Sequence, residues 1–298
     1  MITVFTPTYN RAYILGKLYQ SLKNQTSQDF EWIIVDDAST DNTEDLVATF
    51  ERVGCGITYI KQPHGGKHRA INRAVNLAKA DYFFIVDSDD YLTLDAIELV
   101  NAWVSEIDSD NIAGVAGLRA SATGSVWGGK PSISCDGYIE ASNLEREKFN
   151  LTGDKAEVYS VKVLREHPFP EFENEYFVTE AVVWDWIALD GYKLRWYNRT
   201  IYVCEYLDDG LTRTGADARI NNNPHGYGRY VAVRIKAAGI QQNWSAFWDY
   251  CRLAARKNIT IKSRLSDLQI GAWSYCAYMA YSFVRKIYSK IKRSIKRN

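Results

Sequence analysis

No run of about 18 apolar residues, the span a membrane helix needs, occurs in this 298-residue sequence. Nor does the chain open on a basic segment followed by an apolar one. Met1-Ile2-Thr3-Val4-Phe5 already reads as a strand, so no secretory signal is expected. Cysteine is sparse and scattered. Cys55, Cys135, Cys204, Cys251 and Cys276 contain no CxxC pair, which excludes zinc-ribbon and thioredoxin-like arrangements. They read as free thiols in a reducing compartment, and a cytoplasmic location is expected. An excess of either charge is also absent: Lys+Arg and Asp+Glu both number 36. A chain without a basic surplus is not expected to take nucleic acid as its partner. The GxxxxGK[ST] phosphate loop is missing, and no internal repeat is found. What remains is ordinary globular composition, 46% hydrophobic and 24% charged, in a length suited to one large domain or one domain with an appendage.

The first 120 residues alternate strand and helix signals. Strands are predicted at 2–6, 32–35, 57–60, 82–86 and 112–117. Helices are predicted at 12–24, from Asp41 or Asn42 to 52, at 67–79 and at 93–107. Strand–helix alternation with short loops predicts an α/β fold with a mostly parallel, Rossmann-like sheet flanked by helices. Ligands of such sheets bind beyond the carboxyl ends of the strands. Four polar clusters fall at those ends: Pro7–Arg11, Asp36–Asp41, Pro63–Arg69 and Asp87–Asp90. They are expected to converge in one cleft. Residues 120–155, rich in Gly, Ser and Lys, read as a loop region over that cleft. Further on, 180–189 reads as a helix, 193–197 and 201–206 as strands, and the chain after Asn221-Asn222-Asn223-Pro224 as helical.

Asp87-Ser88-Asp89-Asp90 is the sharpest chemical signal. Its carboxylates repel one another unless a cation or solvent compensates, and hard oxygen ligands suit Mg2+ or Mn2+ on a diphosphate. The competing reading is a solvated acidic loop ahead of a helix. Asp36 and Asp37 directly follow four apolar residues, and carboxylates there can accept hydrogen bonds from a nucleobase imide or ribose hydroxyls. Helix capping suits Ser39 and Asp41 well but does not explain two consecutive Asp after the apolar run. Tyr9 offers a face for a base and Arg11 a donor for phosphate, although a plain turn into a helix would look the same. His64-Gly65-Gly66-Lys67-His68-Arg69 puts a Gly pair and three basic side chains at a helix start, where anions are favoured.

Taken in order and spacing, Pro7-Thr8-Tyr9-Asn10, Val35-Asp36-Asp37-Ala38-Ser39-Thr40-Asp41, Gly65-Gly66-Lys67-His68 with Ala70 and Asn72, and Val86-Asp87-Ser88-Asp89-Asp90 resemble the family 2 glycosyltransferases, which are inverting enzymes of GT-A fold. The resemblance is strong over residues 1–100, moderate to about 215 and uninformative beyond. It implies a catalytic domain over 1–215, with a nucleotide-binding half (1–117) and an acceptor half (118–215). A helical C-terminal region with a basic tail follows at 216–298. It further implies that Pro7, Tyr9 and Asp37 hold the nucleobase with Asp36 nearby, and that Lys67 approaches the base or phosphates. Asp87, with Ser88 beside it, would contact the ribose, and Asp89 would ligate Mn2+ or Mg2+ on the diphosphate. UDP is the commonest nucleotide in similar proteins, with dTDP and GDP as alternatives. Similar transferases take their base from a later Glu-Asp motif. Here Thr179-Glu180 stands in that place, so Glu180 is the expected base, ahead of Glu173, Glu175 and Asp185; a helix-start Glu that satisfies the dipole is the competing reading. The segment Glu205-Tyr206-Leu207-Asp208-Asp209-Gly210-Leu211-Thr212 also resembles a cleft-lining stretch of such enzymes.

The C-terminal end is aromatic and then basic. Arg285, Lys286, Lys290, Lys292, Arg293, Lys296 and Arg297 follow Trp273 to Val284, and no acid follows Asp267. Such a helix can rest on an anionic membrane surface, or close a core ahead of a solvated tail. The leading expectation is therefore a nucleotide-sugar donor, most often UDP-linked, with a saccharide or lipid-linked glycan acceptor. A nucleotidyltransferase and a non-catalytic nucleotide-sugar-binding scaffold are the alternatives. The first usually has a glycine-rich loop after its first strand, which Pro7-Thr8-Tyr9-Asn10 is not; the intact carboxylates argue against the second.

Overall fold

The structure is a computed structural model that describes residues 1–135, 137–205 and 215–295. Its centre is a nine-stranded sheet of order β3-β2-β1-β4-β8-β6-β9-β5, with β7 paired to β9 off that path. β1 (Ile2–Thr8), β2 (Phe30–Asp36), β3 (Ile57–Lys61) and β4 (Tyr82–Ile85) pair in parallel. Each is followed by the helix or turn predicted for it. The two faces of this half are set by simple alternation. Val4, Trp32 and Ile34 pack under α1 (Ala12–Lys23) and α4 (Ala96–Ser105). Phe5, Ile33 and Val35 pack under α3 (Lys67–Leu77). Burial on both faces is why these strands read as continuous apolar runs.

Beyond β4 the sheet is mixed. β8 (Lys155–Ser160) runs antiparallel between β4 and β6 (Ile112–Ser121), and β9 (Lys193–Cys204) returns parallel to β6. β5 (Tyr91–Leu92) and β7 (Tyr138–Ala141) pair antiparallel with β9. Six of the nine strands thus share one direction, as a mostly parallel sheet requires, and the antiparallel pairs, made by β5, β7 and β8, are confined to the second half. The two strands expected at 193–206 are one irregular strand, whose register against β6 shifts between Ala116 and Leu118 and again before Arg119.

Residues 120–155 depart from the expected cleft loop. A hairpin at the cleft end, with Ala120 bridged to Val126, is followed by β7 and a 3-10 turn at Asn143–Phe149. β7 pairs with Leu194–Tyr197, at the end of β9 that is remote from the cleft. The helix expected to reach residue 52 is shorter: α2 spans Thr43–Ala48, and Phe50 stacks 4.1 Å from Tyr19 instead of extending it.

α5 (Val161–Glu166) and α6 (Ala181–Leu189) cover the same face as α3. After α7 (Ala216–Asn222), α8 (Pro224–Arg256), α9 (Ile261–Leu268) and α10 (Ala272–Ile295) build a separate apolar core around Phe247 and Tyr250. α8 is kinked at Gly239, whose φ of 72° breaks the helix; Asn243 Nδ2 donates to the carbonyls of Arg234 and Gly239 there. Among the described residues no helix is long and apolar enough to cross a membrane. The five cysteines are free.

Candidate active site

The four parallel strands end in line: Thr8 is level with Asp36, Asp36 with Lys61, and Phe5 with Ile85. The four polar clusters therefore emerge side by side, and each is bonded to the next. Asn10 N donates to Ser39 Oγ at 2.8 Å, and Thr40 N donates back to Asn10 Oδ1 at 2.7 Å. Asp41 accepts from Ala12 N with one oxygen and from Thr43 with the other, so a single carboxylate serves two helix starts.

Asp36 and Asp37 act inside the protein. Asp36 is fully buried and accepts from Ser39 N at 2.6 Å and the Tyr59 hydroxyl at 2.5 Å. Asp37 accepts from Gln62 Nε2 and Gly65 N with one oxygen, and from Gly66 N with the other, which also lies 2.8 Å from His64 Nδ1. Both carboxylates shape the turns of the cleft, and neither oxygen pair is left open to it. Pro7 stays within β1, opposite Val35. Tyr9 is 48% exposed. Its ring lies 5.0 Å from His64, which stacks 4.9 Å from Tyr176. This gives a three-ring tier at the cleft edge that the sequence reading did not include. Arg11 lies close over the Tyr13 ring.

Lys67 is the hinge of the site. Its ammonium lies 2.6 Å from Asp87 and 3.0 Å from Glu180, so the strand-end acid and a residue much later in the chain share one cation. Burial alone would push both carboxyls up, but Lys67 outweighs it and holds both below their usual range. Arg119 adds to this at Asp87. Burial would weaken the Lys67 ammonium; Asp87, then Glu180, reverse that and keep it charged. Glu180 precedes the first residue of α6, where its backbone carbonyl accepts from Val183 N and Trp184 N.

Two of the three alternative acids are committed elsewhere. Glu175 receives His225 N and Gly226 N at the start of α8. Asp185 is bound by Asn143 and Arg234. Glu173 is exposed.

The acidic turn is held from β9. The Tyr202 hydroxyl accepts from Asp87 N and donates to Asp90 Oδ2 at 2.8 Å. Burial and then the Asp87 charge push Asp90 up to about 7. Ser88 is buried. Asp89 differs from its neighbours. Burial and Asp87 raise its pKa, yet among the described residues its carboxylate has no hydrogen-bonding or ion-pairing side chain. No three His, Cys, Asp or Glu side chains converge as a ready-made metal cage among those residues. An unpaired, partly buried carboxylate beside a second acid does suit a hard cation whose remaining ligands are phosphate oxygens and water.

Arg119 was also missed, although a single Arg at the end of an otherwise apolar strand was a visible signal. It donates to Lys155 O and lies 4.2 Å from the Tyr202 ring. His68, in the Gly-rich motif, is buried with neither ring nitrogen bonded. Burial and then Arg69 push it down to about 4, so it is a neutral core residue.

A parallel half-sheet whose strand ends gather an acidic turn, a clamped carboxylate and an aromatic tier defines an α/β protein with its candidate site at the strand ends. The chain belongs to glycosyl transferase family 2, whose family model matches residues 3–166. It is 35% identical over 115 residues to the glycosyltransferase GlyG of Streptococcus pneumoniae, covering 38% of each chain. It is also 35% identical over 121 residues to the poly(ribitol-phosphate) beta-N-acetylglucosaminyltransferase TarP of Staphylococcus aureus, covering 40% of this chain and 37% of that one. These alignments span well under two thirds of the relatives' own length. The fold is that of S. aureus TarS 1–349 solved with UDP-GlcNAc: TM-score 0.62 and 18% identity, over 90% of this chain and 79% of that one. It is also that of the mannosyltransferase PcManGT from Pyrobaculum calidifontis, solved with GDP-Man and Mn2+: TM-score 0.55 and 17% identity, over 97% and 87%. The fold is GT-A.

Proposed function

We propose that this protein is an inverting glycosyltransferase that moves a sugar from a nucleotide-sugar donor, a UDP-sugar, to a hydroxyl of a saccharide or lipid-linked glycan in surface polysaccharide synthesis. The observation that carries the reading is the Lys67 clamp, which places Glu180 beside the acidic strand end. Tyr9, His64 and Tyr176 offer ring faces to the base, and Arg11 reaches toward phosphate. Asp87 is kept ionised to accept from ribose hydroxyls, with Ser88 packed beneath the turn. Asp37 acts one step back, by fixing the Gly65-Gly66 turn on which Lys67 starts its helix. Glu180 takes the proton of the acceptor hydroxyl as that hydroxyl attacks the anomeric carbon from the face opposite the nucleotide, which inverts the configuration. Asp89 would hold Mn2+ or Mg2+, and a bound ion there neutralises charge on the departing nucleoside diphosphate.

Calorimetric titration with UDP, GDP, dTDP and ADP, first with Mn2+ and then with EDTA, tests the donor site. UDP binding that EDTA removes is the expected result. Asp89→Ala should weaken it by at least about tenfold, the loss of one charge-assisted contact. Equal binding by that variant with and without Mn2+ would sink the metal assignment. Binding of no nucleotide would sink the donor reading.

The outer face of α10 supports peripheral membrane contact. Trp273, Phe283, Val284, Ile287 and Tyr288 are all exposed, in one helix that also carries Arg285. Apolar side chains flanked by a basic run match an anionic bilayer surface. The protein should sediment with phosphatidylglycerol vesicles and not with neutral ones. Equal sedimentation with anionic and neutral vesicles would refute this contact. The Glu205–Thr212 segment lies outside the described residues except for Glu205, which pairs with Lys17.

A further inference from the structure

The Glu180 carboxylate lies 3.0 Å from the Lys67 ammonium, and its chain neighbours Phe177, Thr179 and Ala181 line a cavity of about 280 Å³. The opposing wall comes from α7 and α8 and includes Arg219, Tyr227 and Tyr230. Asn223, at the junction of those helices, ties the two walls together. Its Oδ1 accepts from Tyr176 N at 2.8 Å and Phe177 N at 3.0 Å, and its Nδ2 donates to Arg219 O. The volume lies just below the lower end of the usual range for small-molecule sites, about 300 Å³, and suits one sugar ring or polyol unit.

The lining has an uneven charge. Its side chains are aromatic, aliphatic or neutral polar except for Arg219. That guanidinium lies 5.2 Å from the Phe177 ring, and its Nε is buried without a hydrogen-bond partner. Among the described residues no carboxylate pairs with it. A buried donor with no partner is costly, and in native proteins such groups are explained by a ligand, an ion or water. Guanidinium presents its donors in a fork that fits phosphate and carboxylate oxygens. Tyr227 and Tyr230, with ring centroids 6.3 Å apart, provide flat faces of the kind that pack against a ring.

We infer that this cavity is the acceptor subsite, and that it selects a glycan unit bearing an anionic group, phosphate or carboxylate, which Arg219 receives. The inference rests on Glu180 as the base, whose chain neighbours Thr179 and Ala181 line the cavity.

Ligand-observed NMR on the full chain with UDP and Mg2+ tests it, using glucose, glucose 6-phosphate and glucuronic acid as probes. An anionic probe should bind at least about tenfold tighter than glucose, the worth of one charge-assisted hydrogen bond. Which of the two does so tells phosphate from carboxylate. Arg219→Gln should erase that preference and leave UDP titration unchanged, and Arg219→Lys should keep part of it. Thermal melts of both variants report folding; among the described residues the Arg219 guanidinium packs only on the Phe177 face, and the Lys variant retains the charge if the Gln variant fails. Equal binding of the three probes to the unaltered protein overturns the subsite, as does an anionic preference that survives in Arg219→Gln. Loss of UDP binding in the unaltered protein would instead strike the donor reading, and the probe preference would still be measurable on its own.

Discussion

Glu180→Gln will leave nucleotide titration unchanged and cut sugar transfer by about a hundred- to ten-thousandfold, the usual worth of a positioned base. The substitution preserves size and removes the charge that pairs with Lys67 at 3.0 Å; Lys67 keeps Asp87 at 2.6 Å. The geometry makes a sharper claim about pH. In the free protein Lys67 holds the Glu180 carboxyl below its ordinary value of 4.5. The acid limb of kcat/KM, which reports the free enzyme, should therefore fall below that value. Lys67→Met removes the main influence that lowers the pKa and leaves burial, which raises it, so its acid limb should move to higher pH. Transfer by Glu180→Gln at the unaltered rate, measured by release of nucleoside diphosphate, would move the base to another residue.

Gly66→Ala should do comparable damage by a different route. Gly66 has φ 88° and ψ 163°, a region that is essentially restricted to glycine and costs other residues about 1–3 kcal/mol. A Cβ there would also sit 1.9 Å from the Tyr176 carbonyl oxygen and 2.7 Å from its carbon, which are backbone atoms that cannot rotate away. Forced rearrangement of a packed site adds about 1–3 kcal/mol. The sum, about 2–6 kcal/mol, should lower Tm by about 5–15 °C at this chain length. Transfer should fall as well, because the same shift pulls the 175–180 segment away from Lys67. Gly191→Ala is the control. Its φ is 94°, but nothing lies within 4 Å of the added carbon, so only backbone strain remains. Equal melting temperatures for the two variants would show that contact with Tyr176 does not matter.

The parts of the site that were legible in the sequence are those set by local order. Strand–helix alternation with short loops places successive polar clusters at one end of a parallel half-sheet, and the ladder from Thr8 to Lys61 bears that out. The mixed half was not legible in the same way. β8 enters between β4 and β6 from a distant part of the chain, and nothing local marks Lys155–Ser160 as a central strand. β7 was hidden for the same reason: Tyr138–Ala141 becomes a strand only because the edge of β9 is there to pair with. Residue roles divided similarly. Asp36 and Asp37 drew attention as acids after an apolar run. Yet the partners that occupy them, Tyr59 and the Gly65-Gly66 amides, come from the next strand and turn. Tyr202 and Arg119, which brace the acidic turn, sit on strands whose register the sequence does not disclose. The Lys67–Glu180 pair spans the same gap: each residue was singled out, and their meeting was not.

The placement of β8 has a consequence for how the chain can be divided. Its outer bonds go to β4 on one side and β6 on the other, so the sheet is joined across the middle by residues 155–160. A fragment ending at residue 117 would keep all four polar clusters and still expose the bare edges of β4 and β6, the kind of unpaired strand that recruits copies of itself. The cleft is encoded early in the chain, but its flank is closed only by a strand made much later, which ties the upkeep of the cleft end to completion of the rest.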